Sequence, residues 1–276
     1  MPLFQIEVPK VTSAMRGVLL SLFVTLIVLS PHSSRSEMIV RDYTPARNFR
    51  FYADSDKAFV GRAYNFSGVG LGSEGHWATL VTDTCFLSAV HLHPAIGEKV
   101  TFWGSNSLTG TSYTYTVTGG ARIGTTDLWL GWFDGAVDRT IARYAIPKLR
   151  SPKAYLGLTL YNYGKTHRVG RNVLDMLGMC QLGPSTGKIA AYDYDDNDTP
   201  SVGSDESYLQ VGDSGAPSFA VFNSRLALIG IHWSISSNPA SSIDTFVPEY
   251  FDEINKELAK RGQTLHRSRW RKRSRS

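Results

Sequence analysis

Short apolar runs separated by turn residues fill the chain from about Glu37 to Ala259, with no long helical periodicity before its end. They read as strands over Trp77–Val81, Cys85–Val90, Lys99–Trp103, Ser112–Thr118, Leu128–Phe133, Tyr155–Tyr161, Gly187–Tyr192, Ala216–Phe222 and Ala227–Trp233. Close spacing of this kind predicts an all-β sandwich or barrel. The segment Pro147–Pro152 reads as a bridge between two halves, 37–150 and 151–260. From Pro248 to Arg261, apolar Phe251, Ile254 and Leu258 recur three and four apart among charges, which predicts one amphipathic C-terminal helix.

The two ends differ from this body. Lys10 and Arg16 precede an uncharged apolar run of about 14 residues, Gly17–Ser30, followed by Pro31-His32-Ser33-Ser34-Arg35-Ser36. Residues 1–36 therefore read as a secretory signal, and the run falls short of the roughly 20 residues that span a bilayer. A secreted or cell-envelope location is expected, with membrane attachment only if the signal stays uncleaved. At the other end, residues 261–276 hold seven Lys and Arg and no acid, and read as a basic disordered tail.

That tail explains the overall balance. The chain has 29 basic and 24 acidic residues, but residues 1–260 keep 22 basic against 24 acidic, so the folded body is not basic and no specific nucleic-acid partner is implied. The two cysteines, Cys85 and Cys180, are too few for a disulfide scaffold and lack a metal-ligand spacing; one disulfide or two buried thiols both fit.

The chemistry concentrates in three blocks. In Gly212-Asp213-Ser214-Gly215-Ala216-Pro217 a serine sits on a glycine-flanked turn, where its hydroxyl can be exposed while the N–H groups of Gly212 and Ser214 converge as an oxyanion hole. A serine needs a base and an orienting acid. His91 closes the apolar run Phe86-Leu87-Ser88-Ala89-Val90, and Asp127 opens the run Leu128-Trp129-Leu130. His93 competes with His91 for the base or for a two-histidine metal site, though no third ligand supports a metal. Asp134 and Asp138 read as solvated loop acids. The cluster Asp193, Asp195, Asp196, Asn197 and Asp198 offers oxygen ligands for calcium but lacks the glycine and distal glutamate of an EF-hand, so a solvated loop is expected.

Together the blocks resemble the chymotrypsin-like serine peptidases, in the chain order His, Asp, Ser, without the cysteine that often follows the histidine in animal enzymes. Leu228-Ile229-Gly230-Ile231-His232-Trp233 is similar to the matching strand of bacterial glutamyl endopeptidases. The resemblance implies two six-stranded antiparallel β-barrels with a C-terminal helix, and a monomeric endopeptidase needing no cofactor or metal. It implies His91, Asp127 and Ser214 as the triad, with His232 and Tyr208 lining a substrate pocket that favours an acidic side chain in a protein or peptide substrate. Asp213 would pair internally to hold the oxyanion loop. The rival readings are an inactive protease-like binding module and an α/β-hydrolase esterase; the latter requires the serine first and the histidine last, which this chain reverses.

Overall fold

The structure, a computed structural model, describes residues 37–52, 58–194 and 201–265. The leader, the basic run from 266 and Asp195–Asp198 of the acidic cluster lie outside them. Fifteen strands, two short-to-medium helices and several 3-10 turns make up the described residues.

Six strands close an antiparallel barrel in the order β2-β3-β4-β7-β6-β5, formed by Val69–Gly72 (β2), Trp77–Leu80 (β3), Cys85–Ala89 (β4), Lys99–Trp103 (β5), Ser112–Arg122 (β6) and Leu128–Phe133 (β7). All five residues of β4 are buried, because both its faces meet apolar layers. One layer holds Phe86, Val100, Phe102, Phe133 and Val117. The other, with Leu87, Ala89, Leu128 and Leu130, is continuous with Phe219, Leu228 and Ile231 of the second half and with Ile254 and Leu258 of the terminal helix.

The second half is a seven-stranded antiparallel sheet where a six-stranded barrel was expected. Its order is β10-β11-β15-β14-β13-β8-β9, from Thr159–Gly164 (β8), Arg168–Val173 (β9), Met176–Leu182 (β10), Ser185–Asp193 (β11), Pro217–Phe222 (β13), Arg225–Ser237 (β14) and Ala240–Phe246 (β15). β9 and β11 are not laddered to each other; instead the Asn172 amide of β9 donates to the Asp193 carbonyl at 2.8 Å. The N-terminal β1 (Ile39–Val40) pairs with β12 (Ser207–Tyr208), immediately upstream of the Ser214 loop. A short helix α1 (Pro45–Asn48) follows β1, and the terminal helix α2 is Phe251–Ala259.

Tyr155, read as opening a strand, lies instead in the 3-10 turn Pro152–Tyr155, where proline supplies the first helical position. Residues 261–265, read as the start of the disordered tail, pack on the fold instead: Arg261 stacks over Trp132 at 3.3 Å and Leu265 is 2% exposed. Among the described residues no helix is long and apolar enough to cross a membrane. Cys85 and Cys180 are both buried and free, and burial pushes the Cys180 thiol up to about 11.

Phe219 sits in the layer shared by the two halves, with Tyr144 at 4.4 Å and Phe66 at 6.1 Å between ring centroids. Phe219→Ala is expected to cost about 3–5 kcal/mol in urea denaturation; a loss below 1 kcal/mol would mean the halves do not share a core. Unfolded, unreduced protein should take up an alkylating label at both cysteines, read by intact mass.

Candidate functional site

His91 and Asp127 are brought together by strand pairing. Ala89 of β4 lies opposite Leu128 of β7, and Val90 N–H donates to the Asp127 carbonyl at 2.8 Å, so the residues that follow β4 and precede β7 meet at one barrel end. The Asp127 carboxylate, 1% exposed as a residue, accepts from His91 twice: from the main-chain N–H at 3.1 Å and from Nδ1 at 2.6 Å. A carboxylate on Nδ1 fixes the tautomer with the proton there and leaves Nε2 as acceptor. The His91 side chain is 34% exposed, and its Nε2 has no hydrogen-bond partner among the described residues.

Asp127 is itself held by its turn. Thr126 Oγ1 donates to the Ile123 carbonyl at 2.7 Å, and the Arg122 guanidinium bonds the carbonyls of Thr125 and Thr126. The same guanidinium crosses to the Pro184 carbonyl and Ser185 Oγ of the β10–β11 turn, tying the acid's loop to the second half.

Ser214 lies on a turn with Gly212 at φ +99° and Gly215 at φ +82°, both in the region that disfavours side chains. Gly215 also has no room for one: a Cβ there would stand 2.7 Å from Ser88 Oγ and 2.8 Å from the Leu92 carbonyl oxygen. The serine loop of the second half therefore presses directly on the segment that carries His91. The N–H groups of Asp213, Gly215 and Ala216 are spent on the carbonyls of Gln210, His232 and Asp213. Those of Gly212 and Ser214, like that of Val211 at the exposed crest, have no acceptor among the described residues. No hydrogen bond joins Ser214 Oγ to His91 Nε2 among the described residues; the structure brings the serine's loop, with two uncommitted donors that can hold an oxyanion, against the segment that carries the Asp127-bound histidine.

Asp213 points the other way. Fully buried, it accepts from Lys165 N–H at 2.6 Å and Gln210 N–H at 2.7 Å. The internal partner expected from the sequence is thus a pair of main-chain donors. Burial pushes this carboxyl up to about 6, against the opposing pull of those N–H groups and of the His232 and Lys165 charges.

His232 runs beneath the serine loop, its main chain bonded to Gly215 and Ala216. Its ring is 1% exposed, with Nδ1 at 2.7 Å from Asp244 Oδ1 and Nε2 at 2.9 Å from the Tyr163 carbonyl. Burial disfavours its charge, but Asp244, Asp213 and the Tyr163 carbonyl together raise its pKa, and both ring nitrogens face oxygen partners. Tyr208 is half-buried and its hydroxyl donates to the Ser236 carbonyl at 2.7 Å. Neither residue presents a free polar atom of its side chain at the serine.

The remaining candidates stay apart from the pair. His93 stacks flat on Trp129, 4.1 Å between centroids and 8° from parallel, with Nδ1 at 3.0 Å from the Pro94 carbonyl. Asp134 is exposed, and Asp138 accepts from the Thr140 N–H and hydroxyl. No group of three His, Cys, Asp or Glu among the described residues is arranged to hold a metal. Sequence reasoning missed Lys165, which no motif marks. Neither the models of protein families nor the curated proteins contain a match to this chain.

The Asp213 pKa sets a sign. An acid whose folded pKa lies near 6, above its ordinary 3.8, binds its proton more tightly when folded, so stability falls as pH rises from about 4 to 6. Asp213→Asn removes this titration, and wild type should lose up to about 3 kcal/mol relative to it between pH 4 and pH 7. Urea midpoints of both proteins across that range check it; a pH-independent difference would refute it.

Proposed function

We propose that this chain is a serine endopeptidase of the chymotrypsin-like class, with the seven-stranded sheet acting as the second barrel of that fold. The observation that carries the reading is the junction itself: an Asp127-bound His91 whose Nε2 has no hydrogen-bond partner among the described residues, against a serine loop whose Gly212 and Ser214 N–H groups are uncommitted. The proposed setting is outside the cytosol, on the strength of the leader at residues 1–36.

In this mechanism Ser214 Oγ attacks the peptide carbonyl carbon as its proton passes to His91 Nε2, and the carbonyl electron pair moves onto oxygen, held by the N–H groups of Gly212 and Ser214. Asp127 keeps the ring oriented and stabilises the imidazolium. Collapse of the tetrahedral adduct breaks the C–N bond, and His91 returns the proton to the leaving amine. Water then repeats the sequence on the acyl-enzyme and frees Ser214.

The specificity residues need a different assignment from the one the resemblance implies. With both nitrogens spent on Asp244 and Tyr163, His232 braces the strand behind the serine and offers no N–H to a substrate carboxylate. An acidic preference therefore has no direct contact at this residue.

Residues 37–276 should react with a phosphonate probe and hydrolyse casein at neutral pH without added metal. Ser214→Ala should abolish both, and Asp127→Asn should lower kcat about 10⁴-fold by releasing the tautomer. Folded but unreactive wild type would sink the peptidase reading in favour of a binding module.

A further inference from the structure

Between β8 and β9 the chain reverses over Lys165-Thr166-His167, and this turn contains no glycine. Thr166 has φ 56° and ψ 25°, and His167 has φ 58°. Two consecutive left-handed residues, one of them β-branched, form an unfavourable backbone that persists only where its surroundings impose it.

The surroundings here are specific. The His167 ring is enclosed by Phe51, Trp103 and Trp77 at 4.7, 5.2 and 5.4 Å between centroids. Its Nδ1 lies 2.9 Å from the Tyr163 hydroxyl, which in turn accepts from Arg50 Nη1 at 3.2 Å. Burial and the Arg50 charge push His167 down to about 3, so the ring is neutral, and the Tyr163 hydroxyl, accepting from Arg50, has its own proton to donate to Nδ1. Arg50, fully buried, is fixed by Asn106 Oδ1 and the carbonyls of Trp103 and Ser105, and its own N–H holds the His167 carbonyl at 3.1 Å. Trp77 and Trp103 of the barrel and Arg50 and Phe51 of the N-terminal segment thus clamp a turn that belongs to the second sheet.

What the clamped turn delivers lies at the serine loop. Lys165 N–H meets Asp213 Oδ1, and a Cβ on the preceding Gly164 would stand only 2.7 Å from that oxygen. The Lys165 stem lies along Gly212, its Cδ 3.3 Å and its Nζ 3.6 Å from where a Cβ of Gly212 would be. One turn touches both the buried anchor of the oxyanion loop and the residue that supplies one of its donors.

We propose that the Lys165–His167 turn is the positioning device of the oxyanion loop, with His167 as its positioning residue acting through Lys165 and Asp213. The proposal rests on the peptidase reading for its kinetic consequences but not for its structural ones. Loosening the turn weakens the hold on the tetrahedral adduct while leaving substrate binding in place.

His167→Ala in residues 37–276 is the test. It should lower kcat about 10²-fold, as loss of an oxyanion donor does, with KM within threefold. Affinity for a peptide aldehyde, which forms a tetrahedral adduct, should fall in step with kcat, while affinity for the matching product acid stays within threefold. Amides of residues 209–216 should exchange hydrogen faster than in wild type, and those of β4 and β7 should not. His167→Asn, which tolerates the left-handed backbone and keeps an acceptor, should recover most of the loss; if the alanine variant does not fold, His167→Phe, which keeps a ring in the aromatic enclosure but offers no acceptor to Tyr163, carries the alanine readouts in its place. Unchanged kcat and exchange, or equal losses of aldehyde and product-acid affinity, would overturn the proposal. A wild type that is inert but whose 209–216 amides are loosened by the substitution would remove the peptidase reading and keep the positioning role.

Discussion

Buried charge governs the architecture of this protein more than any single strand. A carboxylate taken out of water must recover its lost hydration from fixed donors or an opposite charge. Asp127, Asp213, Asp244 and Asp205 are each at most 1% exposed, and each recovers it differently. Asp127 takes two donors from His91, Asp213 takes main-chain N–H groups from two separate segments, and Asp244 takes Nδ1 of His232. Asp205 takes two guanidiniums, those of Arg47 and Arg171. Satisfying these acids fixes the loops within each half, His91 to Asp127 in the barrel and Lys165 and His232 to Asp213 and Asp244 in the second sheet, and ties the N-terminal segment to that sheet through Arg47 and Asp205.

The N-terminal segment follows from the same requirement. Arg47 of α1 reaches Asp205, Arg41 reaches the fully buried Glu206, and Arg168 pairs with Glu37 and bonds the Met38 carbonyl at 3.0 Å. These pairs flank the two residue pairs of β1 and β12, too short a ladder to persist alone. Charge compensation therefore keeps β1 in register beside the chain that leads into Gln210 and the serine loop.

The sequence was readable where apolar pattern and local motif coincide. β4, β5 and β7 lie within a residue of their predicted ends because their buried positions are filled by apolar or small residues. The blocks around His91, Asp127 and Ser214 were legible for the same reason, each attached to such a strand. β9, Arg-Val-Gly-Arg-Asn-Val, and β15, Ala-Ser-Ser-Ile-Asp-Thr-Phe, were not, since their side chains look solvated in sequence. Yet β15 is buried over Ser241–Phe246: Ser242 Oγ accepts from Leu209 N–H and Asp244 bonds His232, contacts that span 33 and 12 residues. Polar burial of this kind depends on partners that only the fold supplies. His232 shows the converse, a residue noticed for its type whose role changes once both its nitrogens have partners.

Catalytic competence in such a site depends on two different tolerances. The His91–Asp127 pair can rely on a barrel end, where the closed ladder of β4 and β7 restricts both backbones. The Gly212–Ser214 donors sit on a glycine-flanked turn, and no ladder restrains Gly212. Glycine makes the required φ accessible but leaves neighbouring conformations accessible as well. Rigidity must then come from outside the turn, and the contacts around it come from Asp213, from Gly215 against Ser88 and Leu92, and from the Lys165 stem. Two of these three belong to or end on the β8–β9 turn, whose own backbone is strained and clamped by Arg50 and by the aromatic rings around His167. A free-energy cost in one turn is thus exchanged for order in another, which is the arrangement expected where donors must be in place before charge develops.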